Sequence, residues 1–169
     1  MFEIRNAEFE DLDEICRVYE AGRAYMRSHG NDVQWVGDDF PFRAKLENDI
    51  RLRQLYVVTN AGDICGVFAY IIGVDKTYLE IENGAWLSDD PYGTIHRIAS
   101  DGRFKGVAKA SFEWCYYNHD LDLRVDTHEL NITMQNCLKN FGFSYCGVIY
   151  IEDGTPRLAY QKKRPAADR

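Results

Sequence analysis

Ile95-His96-Arg97-Ile98-Ala99-Ser100-Asp101-Gly102-Arg103-Phe104-Lys105-Gly106-Val107-Ala108 reads as a strand, a short loop and the start of a helix. The loop carries Gly102 and Gly106, with Arg103 and Lys105 between them. A helix start leaves up to four backbone N–H groups without partners. The helix dipole adds positive potential at the same end, and the two together suit a phosphate. Gly106 lets the backbone come close, and small Ala108 leaves the approach open. Arg103 and Lys105 add cations suited to a pyrophosphate. A glycine-containing turn with solvated basic residues has the same composition. Neither Gly-x-x-x-x-Gly-Lys-Ser/Thr nor Gly-x-Gly-x-x-Gly occurs.

The flanking sequence gives the frame. Phe2 to Arg5 is a short strand, and Asp11 to Met26 is a helix on the recurrence of Leu12, Ile15, Cys16, Tyr19 and Met26. Ser28 to Asp39 is polar and reads as a loop. Phe42, Leu46 and Ile50 mark a second helix, with Pro41 near its first turn. Leu55–Thr59 and Ile64–Ile72 are strands joined by Asn60-Ala61-Gly62-Asp63. Thr77 to Glu82 alternates, which predicts a strand with Tyr78, Glu80 and Glu82 on one face. Thr94 to Ala99 is a strand, and Lys105 to Tyr117 a helix. Leu121 to Asp126 is a strand, and Asn131 to Phe141 a helix closed by Gly142. Tyr145–Ile151 and Arg157–Gln161 are the last strands. The order is mixed α+β, without the regular βα alternation of a dinucleotide fold.

The chain has 169 residues, which suits one domain over residues 1–162, with 163–169 as a flexible tail. Its net charge is −7 and its pI about 5.1. Those values argue against a nucleic-acid or membrane-surface binder. The longest plain apolar run, Val67 to Ile72, is too short for a membrane span. The N-terminus lacks the form of a signal peptide. Five cysteines with no Cys-x-x-Cys pair indicate neither a disulfide framework nor a zinc ribbon, so a reducing cytoplasm is expected. No His, Cys and carboxylate group has metal-ligand spacing, so no metal is expected.

Three segments resemble one family. Arg103-Phe104-Lys105-Gly106-Val107-Ala108 is similar to the Gln/Arg-x-x-Gly-x-Gly/Ala signature of the GNAT superfamily of acyl-CoA-dependent N-acyltransferases. Asn131-Ile132-Thr133-Met134, leading to Leu138-Lys139-Asn140-Phe141-Gly142-Phe143, resembles its Asn … Gly-Phe segment. Ile4-Arg5-Asn6-Ala7 and Asp11-Leu12-Asp13-Glu14-Ile15 resemble its N-terminal strand and helix. The resemblance implies a GNAT-like α+β fold. Its central sheet is mixed, mostly antiparallel and six- to seven-stranded, with about four helices on both faces.

It further implies acetyl transfer from acetyl-CoA to a primary amine of a small molecule, peptide or protein, directly and in a ternary complex. Backbone at Ile98, Ala99 and Ser100 would pair with the pantetheine arm. The amides of Arg103, Phe104, Lys105, Gly106, Val107 and Ala108 would hold the pyrophosphate, and Asn131 would contact the cofactor. The cofactor would wedge between the strands ending near Ala99 and starting near Leu123. Dimers are frequent among the proteins it resembles, which admits a homodimer. One position departs: many members place an acidic Tyr where this chain has Leu138. That keeps open a catalytically silent module that binds acyl-CoA or a partner protein. Tyr145 and Tyr150 are substitutes that nothing in the sequence places. Cys137 reads as core.

The transfer needs an uncharged amine and a proton sink. By alternation Thr94, His96 and Ile98 share a face, which makes His96 the first candidate base. Glu82 is the second, on a face whose acid would attract a cationic amine. A hydrogen-bonded cleft histidine and a solvated strand face are the alternatives. Arg97 faces away from His96 and is expected to pair with a buried carboxylate. Trp35, Trp86 and Tyr92 are candidates to shape an acceptor pocket or stack on a cation.

Overall fold

Residues 1–35, 41 and 43–165 are described by a computed structural model. Phe42, residues 36–40 and residues 166–169 fall outside them, and with them part of the loop expected from Ser28 to Asp39, the start of the second helix and the end of the tail. The strands are β1 (Phe2–Asn6), β2 (Leu55–Asn60), β3 (Asp63–Ile72), β4 (Tyr92–Ser100), β5 (Asp122–Thr127), β6 (Ser144–Tyr150) and β7 (Pro156–Lys162). The helices are α1 (Leu12–Ser28), α2 (Arg43–Arg51), α3 (Val107–Asn118) and α4 (Ile132–Phe141). One seven-stranded sheet runs in the order β1-β2-β3-β4-β5-β7-β6. β4 and β5 pair in parallel through Tyr92–Asp122, Gly93–Leu123 and Thr94–Arg124. The pairs β1–β2, β2–β3, β5–β7 and β6–β7 are antiparallel. Among the described residues this is the mixed sheet with four α-helices that the resemblance implies.

Two compact units divide the chain, residues 1–70 with 97–111 and residues 71–96 with 112–169. In the first, Ile15, Val18 and Tyr19 of α1 and Leu46 and Ile50 of α2 bury against Val57, Val67 and Ala69. Each such side chain contributes about 1.5–3 kcal/mol by leaving water. Gly66 neighbours Val67 and so turns to the opposite face of β3. A Cβ there would come within 2.4 Å of Val107 Cγ1. The bare glycine thus lets the first turn of α3 settle on the strand, which fixes where the preceding loop ends.

In the second unit, Phe112 of α3 meets Phe141 and Phe143 at ring distances of 5.6 and 5.4 Å. Asn131 caps α4 by accepting from the Met134 amide at 3.1 Å. Gly142 ends the helix at φ +99°, and the Phe143 amide returns to the Leu138 carbonyl at 3.0 Å.

The expected strand from Thr77 to Glu82 does not form. Lys76–Tyr78 is a 3-10 turn, capped by the Asp75 carboxylate through the Thr77 amide at 2.9 Å. Glu82 makes only an isolated antiparallel bridge to Val148. Tyr78 and Glu82 accordingly do not share a face: Tyr78 is buried and Glu82 exposed.

Candidate active site

The loop from Asp101 to Gly106 lies in the first unit, and its backbone is set by short polar bonds. Asp101 donates its amide to the Cys65 carbonyl at 3.0 Å. Its carboxylate accepts from the Arg103 amide at 3.1 Å and from Arg103 Nε at 2.7 Å. Ser100 Oγ accepts from the Gly102 amide at 3.1 Å. Burial pushes the Asp101 carboxyl up, but the bonds from Arg103 and Arg17 outweigh this and hold it below the usual carboxylate range.

Gly106 accepts the first helical bond of α3, from the Ala110 amide at 2.9 Å, at φ +89°. The nearest atom to a Cβ there is 3.8 Å away, so the backbone conformation, not crowding, requires glycine. The amides of Val107, Ala108 and Lys109 follow as the first turn of the helix.

Arg103 departs from the sequence expectation. Its guanidinium is turned to Asp101 and to the Ile64 carbonyl at 2.7 Å, and its amide is used within the loop. It braces the loop instead of facing outward as an anion contact. Phe104 and Lys105 are exposed, and Phe104 packs edge-on to Phe2.

Ahead of the loop, Arg97 sits at φ +49°, a left-handed conformation inside β4. Period-two alternation does not carry across such a residue, so the expectation that His96 and Ile98 share a face loses its basis. Arg97 does meet a buried carboxylate, as expected. Its Nη2 lies 2.5 Å from Asp49 Oδ2, with side chains 10% and 2% exposed. The Tyr19 hydroxyl donates to the Arg97 carbonyl at 2.7 Å. Ala99 is buried against the α1–α2 core.

The second unit holds the candidate acid–base residues. His96 Nε2 lies 2.9 Å from Asp75 Oδ2. Asp75 Oδ1 accepts from the Thr77 amide at 2.9 Å and the Thr77 hydroxyl at 2.6 Å. The Asp75 amide donates to the Tyr92 hydroxyl at 2.8 Å. Burial alone would raise the Asp75 carboxyl, but the bonds from His96 and Thr77 and the histidine charge win, holding it at about 2.

A lowered acid contributes stability above its unfolded pKa and loses it as pH falls through the folded one. Asp75→Ala should therefore cost about 1–2 kcal/mol at pH 7, discounting the full shift for partial exposure. Urea unfolding should show that difference shrinking between pH 4 and pH 2. A difference independent of pH would contradict the assigned charge.

Glu82 accepts from the Tyr150 hydroxyl at 3.0 Å, and that bond raises the Tyr150 pKa. Tyr145 stands edge-on to Tyr160. Leu138 is fully buried in α4, and burial pushes the Cys137 thiol up. Asn131 spends its side-chain oxygen on the cap. Trp86 and Tyr92 do stack on a cation, but on an internal one: the Arg124 guanidinium is 4.0 Å from each ring. Trp35, in the first unit, packs edge-on to Tyr19. Sequence reading missed Asp75, whose only local signal is an Asp two residues before a Thr at a turn.

Among the described residues no group of three or more His, Cys, Asp or Glu could hold a metal ion. All five cysteines are free. No helix of the described residues is long and apolar enough to cross a membrane.

Comparison with solved structures gives a full-length match. A GNAT-family acetyltransferase from Streptococcus agalactiae 2603 is 36% identical, covering 97% of this chain and 96% of that one, with a TM-score of 0.89. The chain belongs to the GNAT family of acetyltransferases. GNAT-family acetyltransferases from Listeria monocytogenes 4b F2365 and Bacillus cereus ATCC 10987 share the fold at 22% and 18% identity. The Listeria match covers 95% of this chain and 94% of that one with a TM-score of 0.68; the Bacillus match covers 98% and 99% with 0.65. No family model and no curated protein matches the chain. The resemblance read from Arg103–Ala108, Asn131–Phe143 and the N-terminal segment thus pointed to the right family of folds.

Proposed function

We propose that this protein transfers an acetyl group from acetyl-CoA to a primary amine of a small molecule or a peptide, directly and in a ternary complex. The observation that carries the reading is the glycine-ended loop leading from β4 into the first turn of α3, in a chain of this family. The amides of Phe104, Lys105, Gly106, Val107 and Ala108 receive the pyrophosphate, where the helix dipole favours negative charge. Arg103 braces that loop. The backbone of Ile98, Ala99 and Ser100 pairs with the pantetheine arm, and Asn131 contacts the cofactor while capping α4. The five free thiols suit a cytoplasmic enzyme.

His96 takes the amine proton. Its support is the ionised Asp75 at Nε2, which leaves Nδ1 as the lone pair. Glu82 is the weaker candidate, because it is exposed and bonded to Tyr150. The test is thiol release from acetyl-CoA with spermidine, tyramine and a lysine-bearing peptide as acceptors. With the best of these, His96→Ala should lower kcat about 100-fold, and Glu82→Gln should leave it near wild type. The reverse ranking would move the base to Glu82. A second reading, acyl-CoA binding without turnover, rests on buried Leu138, at the position where the resemblance implies an acidic Tyr. Tight acetyl-CoA binding with no thiol release for any amine would favour it.

A further inference from the structure

We propose that Asp75 is a positioning residue for His96, locking the imidazole in the tautomer that carries its proton on Nε2 and presents Nδ1 as the base. The inference rests on His96 being the base of the proposed transfer, and it adds the residue that makes it one. Both oxygens of Asp75 are committed. Oδ1 takes the Thr77 amide and hydroxyl at 2.9 and 2.6 Å, and Oδ2 faces His96 Nε2 at 2.9 Å. The backbone beneath is tied as well, through the Asp75 amide and the Tyr92 hydroxyl. Tyr78, whose ring lies 6.2 Å from that of His96, gives its own hydroxyl to Asp126 at 2.6 Å and does not compete for the imidazole. An ionised carboxylate only accepts, so Nε2 must donate. The second ring nitrogen is then defined by the bond of the first.

The proton path follows. The acceptor arrives as an ammonium ion and gives one proton to Nδ1. The free amine forms the N–C bond while the C–S bond breaks, and its electron pair leaves on sulfur. The second amine proton passes to the thiolate. The products are the amide, the CoA thiol and a proton on His96 that returns to solvent. While both nitrogens hold protons, Asp75 stabilises the imidazolium from the Nε2 side.

The geometry makes Asp75→Asn a sharp test. The two Thr77 donors hold whichever atom at that end is an oxygen, so the introduced amide nitrogen must face Nε2. That nitrogen donates, Nε2 becomes the acceptor, and the proton moves to Nδ1. Long-range 1H–15N spectra of the free protein should show His96 protonated on Nε2 in the wild type and on Nδ1 in Asp75→Asn. With acetyl-CoA and the best amine of the panel, Asp75→Asn should lose kcat about tenfold or more, with both KM values nearly unchanged. Thr77→Ala keeps the carboxylate, so it should keep the wild-type tautomer and most of kcat. A wild-type protein protonated on Nδ1 would overturn the proposal. So would an Asp75→Asn protein that melts like wild type and retains its tautomer and its kcat. If no amine supports turnover, acetyl transfer itself fails, while the nitrogen spectra still decide the role of Asp75.

Discussion

Arg97→Met should lower the unfolding free energy by about 3–5 kcal/mol, the usual cost of stranding one partner of a buried ion pair. Asp49 is 1% exposed, and its other side-chain bond is to Gln54 Nε2 at 2.8 Å. Without the guanidinium its charge would stay in the core between α2 and β4. For a chain of this size each kcal/mol moves Tm by roughly 2–4 °C, so a fall on the order of 10 °C is expected. The double variant Arg97→Met with Asp49→Leu should recover much of that loss, because an apolar pair of similar volume carries no desolvation cost. A second comparison isolates the backbone. Arg97 holds φ +49°, which costs an L-residue about 1–2 kcal/mol. Arg97→Gly should therefore be more stable than Arg97→Ala, against the usual preference in a strand. A loss below about 1 kcal/mol in urea unfolding would mean that the pair does not hold β4 in its bent path.

Gly106→Glu should weaken acetyl-CoA binding by a factor of roughly 100 or more, a loss of about 2.7 kcal/mol. Two costs act together. The left-handed backbone at φ +89° disfavours any side chain, and a carboxylate there would repel an incoming pyrophosphate. Gly106→Ala carries only the first cost and should weaken binding far less. Each variant should lose only about 1–2 kcal/mol of intrinsic stability, since the nearest atom is 3.8 Å from the added Cβ. Calorimetric titration with acetyl-CoA separates the two. Equal binding by both variants would remove the loop from the anion site.

The sequence made the fold legible wherever a local signal coincides with a tertiary one. Gly142 after the Asn131–Phe141 pattern and the turn at Asn60–Asp63 appear where the residue types put them, while the helix expected from Lys105 starts at Val107, after the left-handed Gly106. Thr77–Glu82 failed because alternation is only a period. Asp75 offers its carboxylate to the Thr77 amide, and that local bond wins over a strand with too few partners. The left-handed turn at Arg97 was invisible, since arginine carries none of the preference that glycine or asparagine would signal there. A buried partner for Arg97 could be inferred from its place in a central strand, but not that it is Asp49, far back in α2. The same holds for His96: its chemistry was readable, while Asp75 reaches it only through the folded path.

The central claim is that this loop binds acetyl-CoA, and thermal denaturation of the purified protein tests it most directly. A ligand specific to the folded state adds about 2.7 kcal/mol at one hundred times its Kd. Millimolar acetyl-CoA should therefore raise Tm by roughly 5–10 °C, while ATP and NADH at the same concentration leave it unchanged. No shift with acetyl-CoA, or an equal shift with all three ligands, would contradict an acetyl-CoA site in this protein.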